Sequence, residues 1–106
     1  MTRPHQEVDI ARQLRTIEWL KNELLEGVTL FFKTLTGSNG QAITKALAAI
    51  MLTCFFLIRR LGLKFEEVEQ EIETQLRNHL AANHQLESWY GDLSACLHYV
   101  EEKKHR

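Results

Sequence analysis

Glu23 and Glu26 are the residues of this chain whose types and spacing come closest to chemistry. On a helix advancing 100° per residue they stack one turn apart, on a face shared with Trp19 and Leu30. Two carboxylates so placed can share a hard cation, since magnesium accepts one or two of them and keeps waters and phosphate oxygens at its other positions. Glutamates at this spacing are also common on solvated helix faces, and spacing alone leaves that plainer reading ahead. Asp92, in Trp89-Tyr90-Gly91-Asp92, could supply a further carboxylate to a cleft, against the plainer role of opening a helical turn beside a glycine.

The other chemically capable residues give less. His79 and His84 are five apart, which does not stack them on one helix face, whereas zinc pairs on a helix prefer a spacing of four. His98 and Glu102 are four apart and suit a surface pair; none of the five histidines is predicted to be a ligand. Cys54 falls within an apolar run and Cys96 flanks an apolar seam, so both read as small hydrophobes. No Cys-His-Asp or Gly-x-Ser-x-Gly arrangement supplies a nucleophile. Trp89-Tyr90 could stack on a base, although anchoring a helix interface is the commoner use of such a pair.

Four helical segments must position these groups. The only proline is Pro4, and glycines at 27, 37, 40, 62 and 91 punctuate the chain. A first helix, from about residue 7 to 35, carries Ile10, Leu14, Ile17, Leu24, Val28, Phe31 and Leu35 in the four-three alternation of a helix that packs along its length. Ser38 followed by Gln41 forms a capping box for a second helix, about 41 to 61, which is apolar on nearly every side and therefore predicted to lie buried among other helices. A third, about 65 to 83, sets Phe65, Val68, Ile72, Leu76 and Leu80 against Glu66, Glu69 and Glu73. The fourth, about 86 to 103, presents Leu86, Tyr90, Leu93, Leu97 and Val100.

At 106 residues, 44% hydrophobic and 25% charged, the chain fits a single domain over residues 1–106, with 1–6 and 104–106 expected to be flexible. The net charge of -1 comes from interspersed acids and bases, so no basic stripe offers itself to a nucleic-acid polymer. The apolar run Ala46 to Ile58 is shorter than the roughly 20 residues that span a bilayer, which argues against a membrane partner. Two widely separated cysteines and an N-terminus without signal-peptide order lead us to expect reduced thiols and a cytoplasmic protein.

The stretch Lys21-Asn22-Glu23-Leu24-Leu25-Glu26-Gly27-Val28, then a polar turn, then Ala46-Leu47-Ala48-Ala49-Ile50-Met51 leading to Arg59-Arg60-Leu61-Gly62-Leu63-Lys64-Phe65-Glu66-Glu67, resembles the MazG-like proteins of the all-α nucleoside triphosphate pyrophosphohydrolase superfamily. The resemblance runs from about Asp9 to the third helix and extends plausibly through the fourth. It implies an all-α, four-helix bundle that pairs as a homodimer. Active members carry Glu-Glu-x-x-Glu on one helix and Glu-x-x-Asp on the next, which together hold magnesium against the substrate's phosphates. The matching positions here are Asn22, Glu23 and Glu26, then Ala46 and Ala49, so two of five acids remain. A half-site binds the cation weakly and activates no water.

The expected function is thus that of a pyrophosphohydrolase homologue with lost or weak catalysis that binds a nucleotide or a protein. No cofactor is expected beyond magnesium where activity remains, held by residual Glu23 and Glu26 and, more speculatively, Asp92. The alternatives are an active magnesium enzyme with replacement ligands and a purely structural helical interaction module.

Overall fold

The structure, a computed structural model, describes residues 4–37 and 39–104. Among these residues there are five α-helices and no strand: α1 (Pro4–Gly37), α2 (Gly40–Arg60), α3 (Phe65–Ala81), α4 (Gln85–Tyr90) and α5 (Asp92–Lys104). The all-α expectation holds, with one helix more than the four predicted. Pro4 to Gln6 and Lys104, expected to be flexible, are helical, and proline suits a first helical position because its missing N–H has no partner there anyway. The chain divides into two compact units, Met1–Leu63 and Lys64–Arg106, each described here by itself.

In the first unit α1 and α2 form an antiparallel hairpin. Near one end the Gln13 side-chain amide donates to the Arg60 carbonyl, and the Arg60 guanidinium donates to the Gln13 amide oxygen at 3.4 Å, which satisfies a carbonyl that the helix end leaves open. Further along, a Cβ placed on Gly27 would lie 3.4 Å from Ile50 Cγ1, so the bare glycine permits close approach. Leu20 is the most enclosed side chain at 2% exposure, although it is not on the predicted seam. Ile17, Leu24, Val28 and Phe31 of that seam are half-buried, while Ile10, Leu14 and Leu35 are exposed.

The predicted cap Ser38 lies outside the described residues. Asn39 caps α2, its side-chain oxygen accepting from the backbone N–H of Gln41 at 2.9 Å and of Ala42 at 3.3 Å. At the other end Gly62, at φ 78°, closes α2: Gly62 N–H donates to the Arg59 carbonyl and Leu63 N–H to the Ile58 carbonyl, the paired bonds of a Schellman turn.

The burial expected of α2 is not supplied by the first unit. Only Ala46 is buried, and Leu47, Met51, Leu52, Phe55 and Phe56 are exposed, Met51 at 59%. Within its unit the helix packs on α1, and a helix that is apolar all round cannot be covered by one partner. By length and composition alone α2 is also long and apolar enough to cross a membrane.

In the second unit α3 packs on α5, with Leu76 and Leu93 buried and Val68, Leu80, Leu97 and Val100 half-buried beside them. Arg77 ties the two helices, meeting Glu73 at 3.0 Å on its own helix and Glu101 of α5 at 2.5 Å; the hydrogen bond to Glu73, then the attraction of both carboxylates, holds its guanidinium more firmly protonated. The predicted fourth helix is broken in two at Gly91, whose φ of 70° is left-handed. A continuous apolar alternation across 86–103 concealed that break.

Candidate functional site

Glu23 and Glu26 lie on the middle of α1, one turn apart as expected, Glu23 half-buried and Glu26 exposed. Glu26 edges a shallow concavity of about 330 Å³ with Leu25, Thr29, Leu30 and Lys33, all from α1. A hollow walled by one helix encloses nothing, and a cation there would keep most of its water.

What faces α1 from α2 decides whether a closed site can form. Ile50 meets Gly27, and Ala46, one turn earlier on the same face of α2, is 5% exposed. Ala49 is exposed. The helices being antiparallel, Glu23 falls one turn to one side of the Gly27–Ile50 contact and Ala46 one turn to the other. The expectation that Ala46 and Ala49 together face Glu23 and Glu26 is not met: Ala46 turns inward on the far side of the Gly27–Ile50 contact from Glu23, and Ala49 is exposed. What α2 brings to the hairpin interface is a methyl group and a branched chain, neither of which can ligate. Among the described residues, no three of His, Cys, Asp or Glu come together in a group that could hold a metal.

Asp92 is exposed at the first position of α5, in the second unit, where a negative charge complements the partial positive charge of a helix N-terminus. Its neighbourhood holds a carboxylate that the sequence reading passed over. Glu87, on α4, accepts from the Ser94 hydroxyl at 2.5 Å and the Ser94 N–H at 2.9 Å across the Gly91 break, satisfying an open donor of α5. Those bonds, the Ser94 hydroxyl first, hold the Glu87 carboxyl below its usual range.

The remaining sequence expectations are placed as follows. Cys54 and Cys96 are free and exposed, not packed as the small hydrophobes expected. His79 and His84 are brought together, their ring centroids 5.0 Å apart, because α3 ends between them and the chain turns back. Trp89 and Tyr90 meet edge to face at 6.3 Å, both are exposed, and within the second unit they anchor no helix interface. The expected His98–Glu102 surface pair is present at 3.6 Å.

In comparison with known proteins, the pattern described as the MazG-like family fits residues 10–93, which takes in most of α1, the whole of α2, α3 and α4, and the start of α5. No curated protein and no solved structure matches the chain.

Proposed function

The chain belongs to the MazG-like family, within the nucleoside triphosphate pyrophosphohydrolase superfamily, and from that premise we propose that it is a homologue with weak or lost catalysis that acts by binding a nucleotide or a protein partner. The observation that carries this reading is Ala46. It occupies the buried position on α2 where the resemblance calls for a carboxylate, and a methyl group neither neutralises phosphate charge nor orients a water. Glu23 and Glu26 then remain as half of a magnesium site, the two-carboxylate set that holds this cation loosely with most of its waters.

The four longer elements are proposed to complete their packing in a homodimer built on the apolar face of α2. Leu47, Met51, Leu52, Phe55 and Phe56 are exposed together on one helix, and Trp19 and Leu30 extend the uncovered surface on α1. A second copy is favoured over a lipid bilayer as the cover. Although α2 is long and apolar enough to cross a membrane, the whole of it lies inside the family match.

The test restores the missing acids. Ala46→Glu with Ala49→Asp and Asn22→Glu should raise magnesium affinity, because ligand number and charge govern how this cation is held. In chelator the triple variant should melt below wild type, since a carboxylate is then enclosed without a partner, and magnesium should bring the melting temperature back. A variant whose melting ignores magnesium would show that α2 is not the helix that completes the site.

A further inference from the structure

α2 and α3 end in the same backbone device with different side chains. At the end of α3 the Asn83 N–H donates to the Leu80 carbonyl at 3.3 Å and the His84 N–H to the His79 carbonyl at 3.2 Å, with Asn83 left-handed at φ 55°. This is a Schellman turn, and such a turn brings together the two residues joined by its outer bond, usually a pair of hydrophobes. At the end of α2 those positions hold Ile58 and Leu63. At the end of α3 they hold His79 and His84, which is why the two imidazoles stand in edge contact at 5.0 Å.

His84 has a second task. It is the N-cap of α4, where its Nδ1 accepts from the Leu86 N–H at 3.1 Å. That bond requires a bare Nδ1 and places the neutral ring's proton on Nε2. It also disfavours a metal ion bridging the two rings: ligation through Nε2 would move the proton to Nδ1 and set it against the Leu86 N–H.

We propose that His84 is a proton-operated joint between α3 and α4. Imidazole is the side chain that ordinarily changes charge between pH 5 and 8. A proton added to Nδ1 turns the cap's acceptor into a donor facing another donor, and puts a positive charge at the start of α4, where the helix dipole opposes it. The same charge is favoured by the negative end of the α3 dipole, so protonation moves the ring's preference from one helix to the other. A charge on His79 adds repulsion across the ring contact.

On α3, Arg77 is held by Glu73 and by Glu101 of α5. On α4, Glu87 is held below its usual range by Ser94. On α5, Asp92 lies beyond the Gly91 break and His98 pairs with Glu102. α4 has only six residues, too few to persist without its cap, and it carries both Glu87, which closes the start of α5, and the exposed Trp89–Tyr90 pair.

Amide exchange by NMR on the full chain, at pH 7.5 and 5.5 and corrected for the intrinsic pH dependence of exchange, tests the joint. In wild type the Leu86 amide should lose protection on the order of fivefold at the lower pH, the equivalent of a typical N-cap, with Ser94 following. His84→Asn, which caps α4 at either pH, should keep both amides protected. His79→Gln should retain the loss, because the cap that His84 makes to the Leu86 N–H is unchanged. Equal loss in wild type and His84→Asn would overturn the proposal, as would a wild-type Leu86 amide that stays protected while the His84 ring resonances titrate.

Discussion

Glu87 shows how one carboxylate can serve a structure without belonging to a catalytic site. Its folded-state value is lowered from an ordinary 4.5, so the stability it lends is fully present above that pH and is lost as pH falls through the folded value. Glu87→Gln should therefore lie furthest below wild type in denaturant melts at neutral pH, with the difference closing as the solution is acidified below about 4.5. A difference constant down to pH 3 would mean that the charge contributes nothing. On the first unit Leu20 occupies the equivalent position of consequence. At 2% exposure in so small a core, Leu20→Ala should cost about 2–5 kcal/mol in urea unfolding, whereas truncation of exposed Leu14 should cost far less.

At the scale of the elements, much could be read from spacing. The 3.6-residue period located α1, α2 and α3 to within a few residues, and the Glu23–Glu26 stack on α1 follows from helix geometry alone. Three things were hidden for physical reasons. The apolar alternation through 86–103 continues across Gly91, so only the left-handed φ reveals that α4 and α5 are separate. Asn83 takes the left-handed place that glycine usually fills, which disguised the turn that unites His79 and His84. The apolar girth of α2 announced a need for neighbours but not whether they lie in this chain, and the orientation of Ala46 inward and Ala49 outward depends on the hairpin register, which no local pattern encodes. Gly91→Ala isolates the first of these. With nothing within 4 Å of the added methyl, its effect should be the strain of a left-handed alanine, roughly 1–2 kcal/mol, and thermal unfolding unchanged from wild type would contradict the break.

For the molecule as a whole, the uncovered face of α2 and the depleted acid set lead to linked expectations. Light scattering at micromolar concentration should give a mass near twice the 12.4 kDa chain, and Met51→Lys should shift it toward the single chain while Gln70→Lys, on the exposed side of α3, should not. A wild-type mass of one chain would remove the dimer. Nucleotide-dependent protection against thermal unfolding would separate a binding role from a purely structural one. The claim that catalysis is weak or lost is tested most directly by incubating the wild-type protein with a panel of nucleoside triphosphates and magnesium and measuring pyrophosphate release. The expected result is release no faster than in protein-free controls or barely above them, and efficient, magnesium-dependent turnover of any triphosphate in the panel would contradict it.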